Sequence, residues 1–89
     1  MKFFRNNSIF FKKKQDGLFY ILEKNKKVIR KLNTVASFLW ENLENPISKE
    51  ELVILTLSEF DVDEKQATSD IDLFINEYVS EGYVLEDKD

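Results

Sequence analysis

The chain has 89 residues, 43% of them apolar, including eight Phe, three Tyr and one Trp; that suits one small domain with its own core and argues against disorder. It holds no Cys and no His, so disulfides, thiol catalysis and Cys- or His-ligated metals are excluded and the commonest general base is missing. The net charge of −4 conceals a division: residues 1–33 carry ten Lys/Arg against two Asp/Glu, and residues 34–89 carry three Lys against fifteen Asp/Glu.

No apolar run approaches the roughly 20 residues that cross a bilayer. The opening "MKFFRNNSIFFKKK" lacks the continuous apolar segment and small-residue cleavage site of a signal peptide. The expectation is a soluble cytoplasmic protein, a single domain over 1–89, with no membrane partner.

In chain order, "SIFFKKK" (Ser8–Lys14) and "LFYILE" (Leu18–Glu23) flank "QDG" (Gln15–Gly17). Asp-Gly between apolar, aromatic-rich runs predicts a hairpin with both turn residues at positive φ. Leu18, Tyr20 and Leu22 share one pleat face, and Phe19 and Ile21 the other. A turn over Lys24–Lys27, with Asn25 suited to the left-handed region, leads into a third strand, Val28–Leu32. The result is a three-stranded antiparallel meander with its third strand at an edge.

Asn33 then caps a helix over Thr34–Leu43 that Pro46 stops. Ser48 and Glu51 form a capping box for a second helix, Lys49–Phe60. Asp63 caps a third, Glu64–Glu81, with Ala67, Ile71, Phe74, Ile75 and Tyr78 as its apolar stripe and Gly82 past its end. Tyr83–Leu85 runs back as a short extended segment. The order β-β-β-α-α-α-β is an α+β fold, a helix-turn-helix with the sheet as its wing.

Little in this frame carries covalent chemistry. The carboxylates sit on polar helix faces or at caps, where ordinary pKa values make poor acids and bases at neutral pH. The two glycines, Gly17 and Gly82, serve a turn and a cap, so no phosphate loop exists. "DVDEKQ" (Asp61–Gln66) begins like a calcium loop but has Gln66 where the sharp turn needs glycine. The expectation is a non-enzyme without cofactor or metal.

A winged helix-turn-helix is also a DNA-reading design. The third helix, however, carries Glu64, Asp70, Asp72, Glu77 and Glu81 against Lys65 alone, which opposes phosphate binding. A small winged-helix nucleic-acid binder, led by the basic sheet and its aromatics, stays as the alternative.

The cationic third strand, "KKVIRKLN" (Lys26–Asn33), reads two ways. Its charges protect an exposed edge from pairing, or the edge receives an extended peptide. Five backbone bonds yield about 5 kcal/mol net, and ordering five guest residues costs at least about as much. Apolar anchors worth about 1.5–3 kcal/mol each must therefore supply the affinity.

At "KVIRKLNTVASFLWENL" (Lys27–Leu43) the sequence resembles the PqqD family, the small precursor-peptide recognition elements of ribosomally made, later modified peptides. The resemblance rests on Leu32-Asn33 ending a strand, then Leu39-Trp40 and Leu43. It continues through Ser48, Glu51 and Leu52, then Asp70, Ile71, Phe74, Ile75, Tyr78 and Gly82, and closes on Tyr83-Val84. It spans about residues 15–86; the acidic "ENPI" (Glu44–Ile47) departs from the glycine-bearing turn of many members. It implies a winged helix-turn-helix that does not bind DNA. In such proteins the leader of a precursor peptide adds antiparallel to the third strand, rests on the third helix and is presented to a modifying enzyme. That enzyme is a radical enzyme using S-adenosylmethionine, a cyclase or a leader protease, as in lasso-peptide pathways. The positions carried over are Lys27, Val28, Ile29, Arg30, Lys31 and Leu32 on the strand, and Ala67, Asp70, Ile71, Phe74 and Tyr78 on the helix. Which helix residues face the groove and which the core stays open.

Overall fold

The seven expected elements form in the expected order, and an eighth precedes them. The structure is a computed structural model that describes residues 1–23 and 25–88. Lys24, the first residue of the expected turn Lys24–Lys27, lies outside the described residues. The elements are β1 (Lys2–Arg5), β2 (Phe11–Lys13), β3 (Phe19–Glu23), β4 (Val28–Lys31), α1 (Thr34–Asn42), α2 (Lys49–Glu59), α3 (Glu64–Ser80) and β5 (Val84–Asp87).

The meander β2-β3-β4 is antiparallel throughout. Its first strand is shorter than Ser8–Lys14, because Ile9 donates its N–H to the Asn6 carbonyl and closes a turn there. Pairing nevertheless continues to the Phe10 carbonyl, which accepts the Leu22 N–H at 2.9 Å. The hairpin turn differs from the Asp-Gly expectation. Only Gly17 has positive φ (83°), the Gly17 N–H donates to the Lys14 carbonyl, and the Lys14 N–H donates to the Leu18 carbonyl. That is a three-residue loop with glycine at the bulge. In the second turn Lys27 takes the left-handed conformation (φ 53°), so the edge strand begins at Val28.

The unanticipated element is β1. It pairs antiparallel with β5, Phe3 opposite Glu86 and Arg5 opposite Val84. Its other side bonds to the connection between α1 and α2: Phe3 and Ile47 exchange both backbone bonds, and the Arg5 N–H reaches the Leu43 carbonyl. The extended segment after α3 thereby becomes a strand.

The helix ends follow their caps. Asn33 accepts the Ala36 N–H, Ser48 and Glu51 complete a capping box, and Asp63 accepts the Gln66 N–H at 2.7 Å. At the end of α3 the Gly82 N–H bonds the Val79 carbonyl and the Tyr83 N–H bonds the Tyr78 carbonyl. With Gly82 at φ 81° this is a Schellman motif. Tyr83 and Tyr78, brought together by it, meet edge to face at 5.7 Å.

One core joins the layers. Phe19, Ile21 and Leu32 from the sheet meet Leu39, Trp40 and Leu43 of the first helical segment and Ile71, Phe74, Ile75 and Tyr78 of α3. Phe3 and Val84 carry the β1/β5 pair into the same cluster. Phe19 and Ile21 face inward and Leu22 outward, as alternation requires.

Candidate peptide-binding site

β4 is an edge of the meander, and its register shows which of its groups are free. The Leu32 N–H bonds the Phe19 carbonyl at 2.9 Å. Antiparallel pairs alternate, so with Ile21 opposite Arg30 and Glu23 opposite Val28, the bonded pairs are 19/32, 21/30 and 23/28. Ile29 and Lys31, opposite Leu22 and Tyr20, direct their N–H and C=O groups away from the sheet. An extended chain laid beside β4 would find two donors and two acceptors there. Leu32 is outside this set: its N–H is used, its carbonyl accepts the Ser37 hydroxyl at 3.2 Å, and its side chain is buried.

Beside this edge lies a groove of about 490 Å³. Arg30, Lys31 and Leu32 form one wall, Val35, Ala36 and Leu39 of α1 the second, and Asp70, Leu73, Phe74, Glu77 and Tyr78 of α3 the third. Its apolar lining is what a guest side chain needs, since backbone pairing alone roughly breaks even. Leu73 projects into it while 68% exposed. A leucine so exposed at a groove is unpartnered apolar surface.

A charged clasp ties β4 to α3. Arg30 donates to Glu23 (Nε to Oε1, 2.6 Å) and to Glu77 (Nη1 to Oε2, 2.8 Å), and its guanidinium lies 5.4 Å from the Tyr78 ring centroid and 5.5 Å from that of Tyr83. Lys26 bridges Glu23 and Glu81 at 3.3 and 3.2 Å. The hydrogen bond from Arg30 lowers the Glu23 carboxyl pKa against the opposing effect of burial. Burial resists the charge on Arg30, but its bonds to Glu23 and Glu77 leave its pKa raised. Burial, reinforced by its hydrogen bond to Glu23, pushes the Tyr83 hydroxyl up to about 12. Lys26 is held above its ordinary value first by its bond to Glu81.

The clasp revises the meaning of the basic strand. Arg30 and Lys26 are already neutralised by the protein's own carboxylates, so the cationic strand does not present its full charge to a guest. Lys27 and Lys31 form no ion pair among the described residues.

The structure sorts the residues singled out from sequence. Arg30, Lys31, Leu32, Asp70, Phe74 and Tyr78 line the groove, and Val28 and Ile29 lie on the exposed strand beside it. Lys27 belongs to the preceding turn. Ala67 and Ile71 are core residues away from the groove, and Phe74 and Tyr78 belong to both. Sequence reasoning missed Leu73, Glu77 and the α1 wall. Leu73 had a readable signal: it is apolar, yet lies off the Ala67–Ile71–Phe74–Tyr78 stripe.

Comparisons with known proteins bear on this geometry. None of the curated proteins searched matches the chain. Two solved structures share the fold at 20% sequence identity. One is "TbiB1 in Complex with the TbiA(beta) Leader Peptide" (TM-score 0.80, covering 97% of this chain and 99% of that one). The other is "Lasso peptide synthetase B1 complexed with the leader peptide" (TM-score 0.78, 97% and 100%). A family model, described as coenzyme PQQ synthesis protein D (PqqD), matches residues 20–84. That span runs from the second residue of β3 to the first residue of β5, and the chain belongs to the PqqD family.

Proposed function

We propose that this domain binds the leader region of a ribosomally made precursor peptide and presents it to the enzyme that modifies or cleaves it, without catalysing a reaction itself. The observation that carries this reading is the conjunction at β4: free backbone groups at Ile29 and Lys31 beside a groove lined by apolar side chains from two helices. The guest adds as a further antiparallel strand, and one or two of its apolar side chains seat among Val35, Leu39, Leu73 and Phe74. The family membership and the two leader-bound structural relatives support the same reading.

Precursor peptides are made in the cytoplasm, and a single soluble domain over 1–89 working there fits; no described helix is long and apolar enough to cross a membrane. Nucleic acid is a poor guest for this site, because Asp70 and Glu77 line the α3 wall where phosphates would lie.

The test is a fluorescence anisotropy titration of the full chain with labelled N-terminal segments of short peptides encoded beside its gene, against a random DNA duplex. Saturable peptide binding that Leu73→Ser weakens is expected. Duplex binding that fades with salt, without a peptide response, would overturn the proposal.

A further inference from the structure

Arg30 and Glu77 stand on opposite walls of the groove, yet their side chains meet at 2.8 Å. The groove ends there: its lining starts at Arg30 on β4 and stops at Glu77 and Tyr78 on α3. Farther along, Lys26 before β4 and Glu81 after α3 meet at 3.2 Å. The other end, between Asn33 and Asp70, has no such bridge among the described residues; Asn33 accepts from Ala36 and Asp70 from Gln66, each on its own side of the groove. The bridge is anchored from behind, since Arg30 also bonds Glu23 at 2.6 Å and lies against the Tyr78 and Tyr83 rings.

The pairs Lys26–Glu81 and Arg30–Glu77 rise along one element and fall along the other, so β4 runs antiparallel to α3. A guest antiparallel to β4 therefore runs parallel to α3. Arg30 and Leu32 spend their backbone bonds on β3. Guest residues opposite them form the closer, non-bonded kind of pair and project on the same face, over the groove. Two guest residues advance about 6.7 Å, and four residues of α3 advance about 6 Å. Successive inward guest side chains thus fall first over Leu73, opposite Leu32, and then over Glu77, opposite Arg30.

The two positions reward opposite side chains. Over Leu73, a large apolar group covers a leucine that is 68% exposed and gains contact with Val35 and Leu39. Over Glu77, the same group takes water from a carboxylate whose side chain is 56% exposed and offers it no partner. It also meets the bridge that already fills the space between the walls.

We propose that the Arg30–Glu77 bridge is the specificity determinant of the peptide site, fixing the register and direction of the guest. The proposal rests on guest addition at β4. The guest it selects carries a large apolar residue opposite Leu32 and, two residues toward its C-terminus, a small one such as Gly, Ala or Ser opposite Arg30. A guest with large groups at both positions is rejected although it offers more apolar surface.

The experiment uses the full chain and labelled leader segments of the short peptide encoded beside its gene, followed by fluorescence anisotropy. Each leader residue is replaced in turn by Ala and by Phe. On the wild type, Ala at the anchor position should weaken binding at least about tenfold, and so should Phe two residues toward the C-terminus. On Glu77→Ala that Phe penalty should fall below about threefold while the Ala penalty at the anchor stays. Glu77→Gln keeps the length of the side chain and an acceptor for Arg30, and should keep the wild-type profile. Both variants leave the Arg30–Glu23 bond in place, and circular dichroism should show both folded.

A wild type that tolerates Phe at the position after next overturns the proposal, as does a Phe penalty that Glu77→Ala leaves intact or that Glu77→Gln relieves as fully as Glu77→Ala. So does Glu77→Ala weakening every peptide by one common factor, the mark of a merely structural residue. The two readings fail differently: a leader that does not bind the wild type removes guest addition and this proposal with it, whereas a leader that binds with the same profile on all three proteins removes this proposal alone.

Discussion

The two sheets treat their edges in opposite ways. β1 is sealed on both sides: it pairs with β5 on one and bonds to Leu43 and Ile47 on the other. β4 is paired on one side only, and its outer backbone is left to solvent. The sealed strand places Phe3 in the core, whereas the open strand keeps Val28 and Ile29 exposed. Burial and pairing go together, so the sealed strand is part of what holds the fold. The open strand is free to exchange water for another chain at little cost to the fold.

Perturbing the sealed strand should have the largest effect. Phe3→Ala removes a buried ring and should cost about 3–5 kcal/mol of stability in urea unfolding. The fraction still folded should bind peptide with unchanged affinity. A shift in that affinity would join the two edges into one cooperative unit and break the contrast.

At the open edge the order should reverse, with binding lost and stability kept. Leu73→Ser should weaken peptide binding by about 1.5–3 kcal/mol, the worth of one apolar anchor. Because Leu73 is exposed in the free protein, the midpoint of thermal unfolding should barely move. Ile29→Pro removes one outward donor and should cost about 1 kcal/mol of affinity, roughly fivefold by calorimetry. Its own sheet bonds are untouched, because the pair Ile29/Leu22 is not the bonded kind.

The smallest effect is the pH dependence of the clasp. Arg30 depresses the Glu23 pKa below the ordinary carboxylate value of 4.5, so the stability this carboxylate contributes is complete above about that pH. It is lost as pH falls through the lower folded value. Tyr83 is shifted the other way: its contribution is complete below the ordinary tyrosine value of 10.0 and is lost as pH rises from there to about 12. Glu23→Gln should flatten the acid limb of a stability–pH profile followed by circular dichroism, and Tyr83→Phe the alkaline limb. A profile unchanged by Glu23→Gln would mean that Glu23 does not gain its partners on folding.

How much was legible can be read from particular residues. Asn33, Ser48, Asp63 and Gly82 announce three helices because capping is chemistry between near neighbours in sequence. β1 was invisible because four residues, "KFFR", are too few to show alternation, and both of its partners lie more than 35 positions away. At the site, β4 and the α3 stripe were readable. The α1 wall was not, because nothing local tells Val35 that Leu73 lies across a gap. The clasp was likewise hidden, since Arg30 and Glu77 are 47 positions apart.

By itself the sequence determined the local terms: the alternation that turns Phe19 and Ile21 inward, the caps, the charge division and the order of elements. The tertiary structure alone decided which edge is sealed and which cations are spent. It also decided which wall of α3 stays open beside Leu73. Those outcomes depend on distant segments meeting, and a backbone group or a lysine is free only when nothing far along the chain has reached it first.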